Sequence, residues 1–113
     1  MPDIRPVPRP DWEPLPYEGC VGVEGRVLVR EDDFFLAQLR FAENATVHEH
    51  PGPNDTIVVC IDGEGFTSVG GETAPLRAGE QVRWPQGVTH RLWTQGSTMQ
   101  TLMLERHGSQ PSR

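Results

Sequence analysis

Between Val21 and Glu105 no apolar pattern keeps a helical period for more than two turns, and the chain is cut into short runs by glycine and proline. The runs 26–30, 33–41, 45–50, 56–62, 66–69, 81–84, 88–93 and 98–105 are rich in β-branched and aromatic residues, and several alternate apolar with polar side chains as a half-buried strand does. Gly63-Glu64-Gly65 and Gly70-Gly71 read as hairpin turns, and Pro75, Gly79 and Pro85-Gln86-Gly87 break the later strands. Many short strands at this spacing, in a chain of 113 residues, predict one all-β domain built as a sandwich or barrel.

Three regions are expected: a proline-rich arm over residues 1–19, a barrel over 20–106 and a polar tail over 107–113. Six prolines fall among the first sixteen residues, and proline cannot donate to a sheet ladder. Such a segment is either a disordered tail or an extended arm, and Trp12, Leu15 and Tyr17 favour an arm that packs on the barrel or on a partner subunit. The net charge of −6, with no basic run, argues against nucleic acid and anionic membranes and for a small-molecule partner. No apolar stretch reads as a signal peptide or a membrane span, so a cytoplasmic location follows by default. Cys20 and Cys60 lack metal-finger or redox spacing and read as free thiols.

Function is carried by His48-Glu49-His50, answered by His90. In an extended strand alternate side chains leave the same face, so His48 and His50 point together with Cα atoms roughly 7 Å apart. His90 can close a three-nitrogen site, with Glu49 turned away. Imidazole suits zinc, copper, iron and nickel alike, and three protein ligands leave coordination positions open for water, dioxygen or substrate. His107, in the polar tail, is excluded as a solvated residue.

These residues resemble the two motifs of the cupins. The second matches in full: Gly79, five residues, Pro85-Gln86-Gly87, two residues, His90. The first matches in part. Its leading glycine falls at Ala42, and its glutamate falls at Thr56 counted back from Gly63 or at Asp55 counted forward from His50. Loss of the carboxylate is the preferred reading; the alternative is a bulge that turns Asp55 inward as a further ligand. The resemblance, over roughly residues 22–105, implies a double-stranded β-helix or jelly-roll barrel holding one divalent ion (Fe, Mn, Ni, Cu or Zn) on His48, His50 and His90.

If Thr56 points inward, Val58 and Cys60 share its face and line the pocket, Cys60 as a packed, unreactive thiol. Leu92 shares a face with His90, and Trp84 is a further wall candidate. Within 35–41, Phe35, Ala37, Leu39 and Phe41 form one face; Gln38 and Arg40 lie on the other, either solvated or turned in toward an anionic substrate. An apolar outer face or the arm would make the protein a homodimer. The function expected first is a non-haem metal dioxygenase acting on a chelating small molecule. The alternatives are a non-catalytic ligand-binding or metal-sensing module and, third, an isomerase of a sugar or keto acid.

Overall fold

The computed structural model describes residues 1–107; the remainder of the expected tail, 108–113, lies outside the described residues. The described chain is all β: β1 (Glu13–Pro14), β2 (Val21–Arg30), β3 (Phe34–Pro51), β4 (Thr56–Val69), β5 (Glu72–Arg77), β6 (Gln81–Trp84), β7 (Thr89–Trp93) and β8 (Met99–Arg106). No helix among these residues is long and apolar enough to cross a membrane.

Two long strands, β3 and β4, serve both sides of the closed barrel. The first half of β3 pairs with β8 and its second half with β7; likewise β4 pairs first with β6 and β8, then with β5 and β7. All pairs are antiparallel, and this is the jelly-roll architecture expected.

A register shift lets each long strand turn its corner. In β3 it falls between Val47, opposite Leu92, and His50, opposite His90, so one extra residue is inserted. The inward set therefore changes from odd-numbered residues (Ala37, Leu39, Phe41, Ala45, Val47) to the even-numbered His48 and His50, while Glu49 is exposed. In β4 the shift falls between Cys60 and Asp62. Gly63 follows with φ of 73°, a left-handed conformation that glycine adopts without penalty. The segment Gly63-Glu64-Gly65 is thus a bend inside one strand, not a hairpin turn, which corrects the sequence expectation. Pro75 does not break a strand either. It lies in β5, which among the described residues pairs only with β4, so its missing N–H can face away from the ladder.

The core is the inner face of these strands. Val58, Cys60 and Leu92 are wholly buried among Leu39, Phe41, Val47, Trp84 and Met99. The arm follows the outer edge of β2: β1 pairs Glu13 with Gly25, and the Leu15 and Arg9 amides donate to the carbonyls of Val23 and Val27. Trp12 lies beneath two guanidiniums, with Arg26 4.5 Å and Arg40 4.3 Å from its ring centre.

Candidate functional site

His48 and His50 come from the bulged end of β3, and His90 from β7 directly opposite His50. The rings meet in one cluster. His48 and His50 are stacked with centroids 4.2 Å apart and planes 18° apart, and His50 meets His90 edge to face at 4.5 Å. Trp84 lies flat on His90 at 4.0 Å with planes 8° apart, and its indole N–H donates to Thr67 Oγ1 at 3.1 Å, which fixes the plane of the stack.

Backbone carbonyls orient two of the three rings. His50 Nδ1 is 2.9 Å from the His48 carbonyl, and His90 Nδ1 is 3.3 Å from the Val88 carbonyl. A carbonyl oxygen can only accept, so Nδ1 carries the proton and, in a neutral ring, Nε2 keeps its lone pair. For His90 the neutral ring is strongly favoured: burial, reinforced by the neighbouring His50 and His48, lowers its pKa to about 4 against the opposing Val88 carbonyl.

His48 Nδ1 instead faces Cys20 Sγ at 3.1 Å. Sequence reasoning missed this contact, since nothing in the spacing of the two cysteines says what either one touches. Gly19 makes it feasible: its φ is 88°, and a side chain there would collide with the His48 Cβ. Tyr17 covers the same ring from the arm, with centroids 6.1 Å apart.

The three imidazoles border a cavity of about 840 Å³ in the barrel mouth. Its walls are largely apolar: Val27, Phe35, Ala37, Leu39, Val47 and Met103 from the barrel, and Pro14, Leu15, Pro16 and Tyr17 from the arm. Thr56 and Trp84, both expected at the pocket, line it. Val58, Cys60 and Leu92 do not: their inward side chains lie deeper, wholly buried in the core, because the even-numbered face of β4 descends below the cavity floor after Thr56. Burial raises the pKa of the Cys60 thiol, as a packed and inert sulfur requires.

Gln38 and Arg40 also fall outside the cavity. The register that turns Ala37 and Leu39 inward sends them outward, where Gln38 bonds Arg26 and Gln100, and Arg40 pairs with Glu24 at 2.8 Å. Asp55 does not line the cavity either. Its Oδ1 accepts the Gln86 N–H at 2.8 Å, so it braces the Pro85-Gln86-Gly87 turn that leads to His90. His107 lies apart from the other three histidines, its ring 5.2 Å from Phe35.

A carboxylate that the sequence did not single out, Glu105, does line the cavity. It ends the inward row Met99, Thr101, Met103, Glu105 of β8, a period-two signal present in the sequence.

Among the described residues no group of three or more His, Cys, Asp and Glu side chains is arranged to hold a metal ion as they stand. The chemistry of the donors fits one nonetheless. Imidazoles whose Nδ1–H is anchored on a carbonyl offer Nε2 as ligand atoms, the usual outer support of a metal-binding histidine.

Similar proteins come from solved structures. The polyketide cyclase RemF from Streptomyces resistomycificus superposes with a TM-score of 0.82 at 20% identity, covering 100% of this chain and 84% of its own. Rru_A2000 from Rhodospirillum rubrum, a cupin-2 domain, gives 0.79 at 14% identity, covering 100% and 81%. KdgF from Halomonas sp. gives 0.75 at 18%, covering 91% and 87%. At these identities the likeness is one of fold. No curated protein matches the sequence significantly. The family model of the cupin domain matches residues 35–105, from the start of β3 to Glu105, and the chain belongs to the cupin family.

Proposed function

We propose that this cupin binds one divalent metal ion through His48, His50 and His90 and acts, as a dioxygenase-type enzyme, on a largely apolar small molecule with oxygens able to chelate the ion. The observation that carries the reading is the imidazole cluster, two rings anchored at Nδ1, bordering a largely apolar cavity of about 840 Å³. Cavities of this size and lining suit organic ligands recognised by a few polar groups. An iron, manganese, copper or nickel ion would supply coordination positions for substrate and dioxygen together with redox chemistry, whereas zinc would supply Lewis acidity alone.

The chain's own residues do the rest. The carbonyls of His48 and Val88 hold two rings in the ligating tautomer, and Trp84 limits the swing of His90. Leu15 and Tyr17 of the arm screen the mouth from water. Binding requires the stacked His48 and His50 rings to turn about their side-chain torsions, a motion open to two half-buried side chains.

Metal analysis of the purified protein and of His48→Ala, His50→Ala and His90→Ala tests the ligand set. Each variant is expected to lose most of its metal while its circular dichroism stays that of a folded barrel, and full occupancy in His90→Ala refutes the assignment. Oxygen uptake by the iron form, screened with diketones, flavonols, thiols and catechols, tests the reaction, with zinc-loaded protein as the control.

A second reading, non-redox conversion of the same class of ligand by isomerisation or cyclisation, is favoured by Glu105, a carboxylate in the cavity wall. The shared fold with a protein described as a polyketide cyclase accords with it. If both reactions fail while a ligand still raises the melting temperature, a binding module replaces the enzyme.

A further inference from the structure

Among the described residues two carboxylates line the cavity, and they differ. Glu13 is exposed and lies 3.5 Å from Arg9. Glu105 is half-buried, and among the described residues no cation pairs with it. Among the described residues its one side-chain hydrogen-bond contact is the Asn54 amide nitrogen at 3.5 Å, the limit of a hydrogen bond, and that amide is better satisfied when flipped toward the carbonyls of Pro53 and Arg106. A carboxylate left without firm partners in a largely apolar wall is costly to desolvate, and an apolar residue continuing the row of Met99 and Met103 would cost nothing.

Its place in the sheet puts it on the same inner wall as the indole that stacks on the imidazole cluster. Glu105 is opposite Thr56, Thr56 is opposite Trp84, and the Trp84 ring stacks on His90. Two strand spacings of roughly 4.8 Å separate the Glu105 and Trp84 backbones. The short Thr56 side chain between them leaves a dip in the wall where a ligand ring can lie, with the carboxylate on one side and the imidazoles on the other. Asp55, the carboxylate next to Thr56 in sequence, is outside the cavity, and its Oδ1 accepts the Gln86 N–H.

The geometry points to Glu105 as the acid–base residue of the site, moving a proton at the carbon next to a carbonyl of the bound ligand. This rests on the reading that the cavity takes an apolar, oxygen-bearing small molecule, and it specifies that ligand as an enolisable ketone. In the step, the Glu105 carboxylate takes the proton. The C–H pair becomes the C=C bond of an enolate, and the carbonyl π pair moves onto the oxygen at the imidazole end. The Glu105 acid then returns a proton to carbon, so no oxidant is needed.

The test uses 2-tetralone, an apolar fused-ring ketone, in deuterated buffer with the full-length protein as purified and with its zinc-loaded form, following exchange by proton NMR. Wild type is expected to exchange the proton next to the carbonyl faster than buffer and with saturation. Glu105→Gln should lower kcat by about 100-fold or more, the usual worth of acid–base catalysis, with KM little changed. Glu105→Asp, which keeps the charge but withdraws it by one methylene, should retain part of the rate. Exchange by Glu105→Gln equal to wild type overturns the inference, and so does a wild-type rate no faster than buffer. Exchange by the zinc form without oxygen uptake by the iron form upholds Glu105 and removes the oxygenase reading; uptake without exchange does the reverse.

Discussion

His90 shows how one residue's surroundings set both its chemistry and a pH dependence. It is 3% exposed, packed between Trp84 and His50, with its pKa lowered to about 4 first by burial and then by its histidine neighbours. The unfolded chain takes up a proton near the ordinary histidine value of about 6.5, while the folded chain resists until about 4. Between those values the unfolded state binds more protons, so stability rises with pH. The contribution is fully present above about pH 6.5 and is lost as pH falls toward 4. It amounts to at most about 3 kcal/mol, the free energy that separates two such proton affinities. For the metal-free protein, urea midpoints should therefore fall between pH 6.5 and 4, and His90→Gln should remove part of that slope. An unchanged slope in the variant means the loss arises elsewhere. The meeting of the His48 and His50 rings was legible at this scale because histidines at i and i+2 share a strand face. The Cys20 contact with His48 was not, because Gly19 brings together residues 28 positions apart.

Strand faces were read from alternation, and alternation succeeds wherever a strand keeps its register. It placed Thr56, Val58 and Cys60 on one face, and His90 with Leu92, as the structure has them. It fails at a bulge, because one inserted residue reverses every side chain beyond it. That is why Val47 and His48, neighbours in sequence, both serve the interior, and why two expected strands are the single β3 and two more the single β4. A glycine pair two residues apart looks the same in sequence whether it closes a hairpin or bends a strand. Gly63 marks the bend, and the structure makes it costly to replace: φ is 73°, and a Cβ there would run into the Thr98 carbonyl. Gly63→Ala should destabilise by about 2 kcal/mol or more, beyond the usual gain of up to about 1 kcal/mol from stiffening the unfolded chain. Urea unfolding reads this directly, and a midpoint at or above wild type would mean that the strand can bend without it.

For the whole molecule, the barrel and its family resemblance were legible because the Pro85-Gln86-Gly87 turn and the three histidines carry their spacing in the sequence. The surface was not, since only pairing across strands reveals which apolar side chains gather. Outward on β3, β8 and β4, Leu36 lies opposite Leu104, Leu104 opposite Ile57, and Leu102 opposite Val59. Ile61, farther along β4, is 44% exposed. These outward rows are half-buried, with the polar Gln38 beside them opposite Leu102, and contiguous apolar patches of this kind are typical of interfaces. A second copy is the partner we predict, because a twofold contact lets one patch cover its equivalent. The full-length protein should sediment as a homodimer. Leu104→Lys, which puts a charge in the middle of the row while leaving the inner face intact, should give a folded monomer with unchanged circular dichroism. Deleting residues 1–18 should weaken the dimer less than Leu104→Lys if the sheet face carries association, and more if the arm does. A monomer at high concentration for the unaltered protein would show that the half-buried rows are sealed well enough within one barrel.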